Sequence, residues 1–282
     1  MNTFPTTWLF CPANRPDRYA KAFASGAPGV VLDLEDAVPL TEKDAARASL
    51  LQWLASDVAV QLAQTALLAI RINRPESDAG LDDLQALRRT PSLARAHLLI
   101  LPKVASSEEV TLVAAHIGRV APQVRLMALI ESIQGLRCVG QIAAAHNSLI
   151  ALGFGAADLA AELGIEPDWE ALLHARCQVL LAGAQQGLAV LDVPWLRVND
   201  SDGLRQDCAR ALRLGFHGKL AIHPGQVADI MASFRPQPAQ LEQARRRVQA
   251  YTEAAGAVCV VDNIMVDQPI FLAARRLLAR AG

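Results

Sequence analysis

The chain has 282 residues, 52% of them hydrophobic and 20% charged, with a formal net charge of −1. That is a globular composition large enough for a substantial core, and it excludes extended disorder. The charge balance gives no reason to expect nucleic acid or a membrane surface as partner. The N-terminal residues Met1–Thr7 carry no basic segment followed by an apolar run, and no apolar stretch reaches the roughly 18 residues of a membrane span. Five scattered cysteines, with no C-x-x-C pair, read as reduced thiols, so a cytoplasmic protein is expected.

Taken in order, the chain alternates strand and helix. Apolar strand patterns fall at Trp8–Pro12, Gly29–Leu34, Leu67–Asn73, His97–Val104, Val124–Ile130, Ser148–Phe154, Ala189–Pro194 and Gly218–His223. Helical patterns lie between them at Asp17–Ser25, Lys43–Ala55, Leu81–Arg89, Ser107–Val120, Leu136–Ala145, Asp168–Gln186, Gly203–Leu214 and Gln226–Ser233. Strand–helix alternation predicts a parallel sheet. Eight units fit a (β/α)8 TIM barrel, typically about 250 residues, better than an open doubly wound sheet. No G-x-G-x-x-G follows the first strand. The expected barrel occupies residues 1–235, and residues 236–282 form a C-terminal helical lid or arm. In that arm Ala239–Ala255 and Pro269–Ala281 read as helices, with a short apolar piece at Gly256–Val261 between them.

Functional residues of a TIM barrel sit at the C-terminal ends of its strands. Those ends carry Asn14-Arg15, Glu35-Asp36, Arg71-Asn73, Lys103, Glu131, Asp158, Asp192 and His223. Glu131 and Asp158 end consecutive strands, in a stretch read as strand, helix, strand and Gly-rich turn. An apolar strand has no use for a terminal charge unless something binds it. Paired hard carboxylate ligands suit Mg²⁺, which keeps waters and leaves places for substrate oxygens; helix capping by each is the alternative. Arg71 ends an apolar run and suits bidentate grip on a substrate carboxylate, or else a salt bridge to Glu35 or Asp36. Glu35 and Asp36 are expected to hold metal-bound water, to orient Arg71, or to serve helix entry. Asp36 and Asp192 are counted with Arg71 and Glu131 among the substrate-binding candidates.

Arg15, Arg18 and Lys21 form a basic group that suits the phosphates of a nucleotide-bearing ligand, or else is a solvated face. The six histidines make no zinc spacing, and no serine or cysteine stands in a nucleophile motif. His223 reads as a packed, hydrogen-bonded residue. Lys103 reads as an electrostatic or ion-paired group rather than a Schiff-base lysine.

These residues stand in stretches that resemble the family of the citrate lyase β subunit, in the HpcH/HpaI aldolase superfamily. The matching stretches are LFCPANRPDRYAKA, VVLDLEDAV, RIN, LPKV, ALIES, GFGAADLAAELG, LGFHGKLAIHP and DNIMVDQPIFLAARRLL, in order over nearly the whole chain. The resemblance implies a Mg²⁺-dependent TIM barrel that cleaves or forms a C–C bond in citryl, malyl or citramalyl thioesters. The products would be a 2-keto acid (oxaloacetate, glyoxylate or pyruvate) and an acetyl thioester. It implies Glu131 and Asp158 as metal ligands, Arg71 as substrate clamp, and Asp267 as a catalytic acid/base on a C-terminal lid. It places Arg15, Arg18 and Lys21 where CoA phosphates bind, and it implies a homo-oligomer, trimer or hexamer. The proline-broken segment at Arg235–Pro238 lets Asp267 reach over an active site, that of its own or of a neighbouring subunit. An N-cap for the last helix is the other reading of Asp267. The chain departs from the family pattern at Ala13, Ala157 (where a glutamate is common), His217 and Ile264. Competing readings are a citryl-acyl-carrier-protein lyase subunit of a complex, an aldolase for free 2-keto acids, and a non-catalytic 2-keto-acid-binding paralogue.

Overall fold

The computed structural model describes residues 4–279, which fall into two compact units, 4–233 and 234–279. The first is a closed barrel of eight parallel strands in sequence order. They are β1 (Thr7–Pro12), β2 (Gly29–Asp33), β3 (Leu67–Arg71), β4 (Leu98–Leu101), β5 (Arg125–Ile130), β6 (Leu149–Phe154), β7 (Ala189–Asp192) and β8 (Gly218–Ala221). Pairing of Thr7 with Lys219 and of Leu9 with Ala221 closes β8 onto β1. All eight expected strands are present.

The helices of this unit are α1 (Tyr19–Phe23), α2 (Lys43–Ala55), α3 (Asp57–Leu62), α4 (Asp78–Arg88), α5 (Ser107–Ile117), α6 (Ile133–Arg137), α7 (Val139–Ala143), α8 (Ala156–Leu163), α9 (Leu173–Gln186), α10 (Ser201–Leu214) and α11 (Val227–Phe234). Serine side chains at 56, 77, 106 and 132 accept the first free N–H groups of α3, α4, α5 and α6. The single helix expected at Leu136–Ala145 is two short ones, α6 and α7. The stretch after β6, expected as a turn, is the helix α8, closed by left-handed Gly164 at φ 70°.

Strand side chains alternate between faces. Trp8, Val31, Ala69, Ile100, Met127, Leu129, Ala151, Leu191 and Leu220, drawn from all eight strands, share one buried cluster and fill the barrel. That parity decides where the polar strand ends point. Asp33 is two residues beyond Val31, Arg71 two beyond Ala69, and Glu131 two beyond Leu129, so all three point inward at the C-terminal mouth. Asp192 follows Leu191 directly, so it points outward to the helices.

The second unit contains α12 (Pro238–Glu253), β9 (Cys259–Val261), β10 (Ile264–Val266) and α13 (Gln268–Ala279). The two strands form an antiparallel hairpin whose turn residues, Asp262 and Asn263, both have positive φ, 51° and 60°. This hairpin was legible only as one short apolar piece. Tyr251 of α12 stacks on Phe271 of α13 at 4.7 Å. The last two residues of the expected final helix, 280 and 281, lie outside the described residues. All five cysteines are unpaired, and no described helix is long and apolar enough to cross a membrane.

Candidate active site

The mouth of the barrel gathers carboxylates around two cations. Arg71 ends β3 with its side chain 11% exposed. Its Nε and Nη2 donate to the two oxygens of Asp33, each at 2.7 Å. Its Nη1 lies 2.9 Å from Glu35 Oε2 and 3.7 Å from Asp36. The guanidinium sits 4.7 Å over the Phe10 ring. Burial opposes the charge, but Asp33 and Glu35 hold the guanidinium protonated more tightly than usual. The bidentate edge expected to grip substrate is therefore engaged by Asp33, and the edge carrying Nη1 is the one turned to the other carboxylates. Asp33 also accepts the backbone N–H groups of Glu35 and Ala37, at 2.9 and 3.1 Å, so it fixes the loop after β2. Lys43 grips the same loop through the carbonyls of Leu34 and Glu35.

Lys103, after β4, supplies the second cation. Its Nζ lies 2.6 Å from Glu35, 3.2 Å from Asp36 and 3.5 Å from Asp158. Its backbone N–H donates to Glu131 Oε2 at 2.9 Å. Burial works against the ammonium, and its bond to Glu35 more than restores the proton's hold.

Glu131 is 7% exposed. It fits because Gly155, across the barrel wall, has no side chain: a Cβ there would fall 2.2 Å from Glu131 Cγ. Burial, then the charges of Glu35 and Asp158, push the Glu131 carboxyl up to about 8, against partial relief from Arg71 and the Lys103 N–H. Asp158 lies in the first turn of α8, where the helix dipole favours its charge, and its side chain is 40% exposed. Glu35 is buried, and its Oε2 makes no hydrogen bond of proper geometry although it lies close to Arg71.

Among the described residues no three His, Cys, Asp or Glu side chains form a ready metal cage. Mg²⁺ needs none: one or two carboxylates with waters and substrate oxygens suffice. A carboxylate whose proton is held by burial and then by its like-charged neighbours, beside an orphaned Glu35 oxygen, is a donor set that a divalent cation would relieve. Glu131 and Asp158 therefore fit the group.

Six further site candidates lie elsewhere or are engaged differently. Asp192 is fully buried outside the barrel wall, 2.6 Å from Lys219 and 3.2 Å from Arg176. Lys219 also meets Asp207 at 2.5 Å. With one oxygen on Lys219 and the other on Arg176, Asp192 is held in a buried ion-pair network. Arg15 forks onto Asp17 through Nε and Nη2, at 2.9 and 2.7 Å. Arg18 and Lys21 are exposed, and among the described residues their side chains make no hydrogen bond or ion pair. Asp267 Oδ1 accepts the N–H of Ile270 at 3.1 Å, which is the capping arrangement. His223 caps the turn after β8, its Nδ1 accepting the Gly225 N–H.

Asp33 was not singled out from the sequence. The signal was there: it lies two residues beyond an apolar inward residue, whereas attention went to Glu35 and Asp36 at the end of the run. A separate cavity of about 760 Å³ opens between the loops after β6 and β7, lined by Trp169, Arg176, Trp195 and Arg210 among others, and none of the mouth carboxylates lines it.

The pattern of the family described as HpcH/HpaI aldolase/citrate lyase matches residues 6–224. A citrate lyase subunit beta-like protein of Mycobacterium tuberculosis is 35% identical, over 98% of this chain and 95% of that protein. A (3S)-malyl-CoA thioesterase of Cereibacter sphaeroides is 34% identical, over 97% of this chain and 93% of that one. The crystal structure of CitE from Mycobacterium tuberculosis in complex with magnesium, acetoacetate and coenzyme A matches with a TM-score of 0.83 and 32% identity, covering 100% of both chains.

Proposed function

The chain belongs to the HpcH/HpaI aldolase/citrate lyase family, a family of enzymes, and from that premise we propose that it is a Mg²⁺-dependent carbon–carbon lyase. The substrate is a 3-hydroxy-3-carboxylic acyl-CoA thioester of the citramalyl, citryl or malyl type. The products are a 2-keto acid and acetyl-CoA. The observation that carries this reading is the meeting, at one barrel mouth, of a fixed guanidinium at Arg71 with the carboxylates Glu131 and Asp158. The relative that holds magnesium, acetoacetate and coenzyme A together supports it.

In the cleavage, the substrate hydroxyl gives its proton to water, the adjacent C–C bond breaks, and its electron pair passes to the thioester as an enolate. The enolate then takes one proton to become the acetyl thioester. Glu131 and Asp158 would hold Mg²⁺, which would supply Lewis acidity toward the acid end of the substrate. Arg71 adds a permanent positive charge beside the oxygen that becomes the keto group, and Asp33 has already fixed its orientation. Asp36, at the rim beside Arg71 and Lys103, orders the acid end. Asp267 is the proton donor to the enolate, carried by a second subunit of a homo-oligomer, a trimer or hexamer. Arg18 and Lys21, with Arg15 less free, meet the CoA phosphates.

A second reading, hydrolysis of the thioester, is favoured by the 34% identical malyl-CoA thioesterase. The test is turnover by the purified chain, with Mg²⁺, of citramalyl-, malyl- and citryl-CoA. The lyase reading expects a 2-keto acid that disappears on chelation and returns with Mg²⁺. Free CoA without keto acid supports hydrolysis; no turnover of any of the three points to a carrier-protein substrate or a binding paralogue.

A further inference from the structure

Lys103 has φ 51°, and it is the one non-glycine residue of the described barrel unit in the left-handed region. Lysine has no intrinsic preference for that conformation, so the surroundings impose it. It lets one residue address four carboxylates. The backbone N–H faces Glu131 at 2.9 Å, and the ammonium faces Glu35, Asp36 and Asp158 at 2.6, 3.2 and 3.5 Å. The mouth thus holds five acids, Asp33, Glu35, Asp36, Glu131 and Asp158, against Arg71 and Lys103, with Lys43 behind them on the loop carbonyls. Arg71 cannot move: both oxygens of Asp33 hold it, and Phe10 lies under it. Lys103 can, since its side chain is 28% exposed and its longest contact is to Asp158.

We infer that Lys103 is a positioning residue of the metal site: its ammonium is the resident counter-cation of the carboxylate cluster, and it releases Asp158 when a divalent cation binds there. This rests on the reading that Glu131 and Asp158 hold the metal. On release, the ammonium keeps Glu35 and Asp36, so those two carboxylates stay placed while Asp158 turns to the ion. The backbone N–H meanwhile occupies one oxygen of Glu131 and leaves the other for the ion. The ammonium and the divalent cation therefore compete for Asp158, and Lys103 sets an upper limit on metal affinity in exchange for an ordered site.

The experiment is direct Mn²⁺ binding by electron paramagnetic resonance, with Mg²⁺ displacement, on the full chain and on Lys103→Met, Lys103→Arg and Glu131→Ala. Removing one positive charge a few ångströms from a divalent ion in a partly exposed site should tighten binding about tenfold in Lys103→Met. Lys103→Arg keeps the charge and should stay within about twofold of the wild type by the same Coulomb argument. The Met variant should also have lower kcat, because Glu35 and Asp36 keep only Arg71 of their two counter-ions. If Lys103→Met folds poorly, Lys103→Gly serves, because glycine takes φ 51° without strain and keeps the N–H to Glu131. Unchanged or weaker Mn²⁺ binding in these neutral variants, with binding abolished in Glu131→Ala, overturns the inference and leaves the metal site standing. No Mn²⁺ binding by the wild type overturns both.

Discussion

Asp33 and Arg71 face each other across neighbouring strands, joined by two parallel hydrogen bonds of 2.7 Å. The register that pairs Asp33 with Arg71 on β2 and β3 makes this contact a property of the barrel wall itself. Both residues have inward parity, so the pair closes the top of the packed interior and opens the polar mouth. A guanidinium suits this place because its fork serves Asp33 while Nη1 still faces Glu35; an ammonium cannot address both in one plane.

Arg71→Lys should therefore keep the fold and lose most turnover. Calorimetric titration of oxaloacetate or pyruvate should show weaker binding, and unchanged affinity would remove Arg71 from the substrate. Asp33→Asn takes the bidentate partner from the guanidinium, leaving it Glu35 and Asp36, and should cost about 2 kcal/mol in denaturant unfolding. A loss within ordinary surface-mutation scatter would contradict the buried-pair account.

Glu131 gives a pH signature. Its carboxyl, usually near 4.5, is pushed up to about 8 by burial first and then by Glu35 and Asp158. A group that holds its proton more tightly when folded contributes stability below its ordinary value. That contribution drains away as pH rises from about 4.5 through about 8. With chelator present, the Tm of the wild type should fall over this window more steeply than that of Glu131→Gln, which carries no titrating group there. Parallel profiles would contradict the assignment.

Asp192, Lys219, Asp207 and Arg176 form a buried charge network between the barrel and its helices. Lys219→Met strands Asp207, leaves Asp192 with Arg176 alone, and should cost about 3 kcal/mol of stability. Mn²⁺ affinity of the folded fraction should stay at the wild-type level. A shift in metal affinity with stability intact would return Asp192 to the active site.

The barrel was legible because its strands are apolar runs bounded by helix-entry residues, and Glu131 and Asp158 were legible as charges ending such runs. Asp192 ends a run too, but its parity is opposite to that of Glu131, and a charge at a strand end tells nothing until parity is followed. The same parity would have found Asp33. α8 was hidden because Gly155 and two alanines suggest a turn, whereas here the glycine makes room for Glu131 and the alanines begin a helix. The hairpin turn at Asp262-Asn263 carries a recognisable pair of turn residues, but each flanking strand has only three residues, too few to show alternation.

Asp267 separates capping from catalysis. Its Oδ1 caps α13 at Ile270, and Asn at 267 preserves that acceptor. Asp267→Asn should keep Tm and Mn²⁺ affinity and lose kcat by about a hundredfold or more, the scale of a lost general acid. Near-normal kcat would leave Asp267 a cap alone. If the site is shared, exchange of subunits with Arg71→Ala protein should restore part of the activity.

The central claim is that the bond broken is carbon–carbon, with an enolate that must be protonated. Cleavage of a citramalyl-, malyl- or citryl-CoA substrate in D₂O, read by mass spectrometry of the CoA products, tests this directly. The account predicts acetyl-CoA carrying one solvent deuterium in its methyl group, in equal amount with a 2-keto acid. Free CoA with an intact, undeuterated hydroxy acid would contradict it.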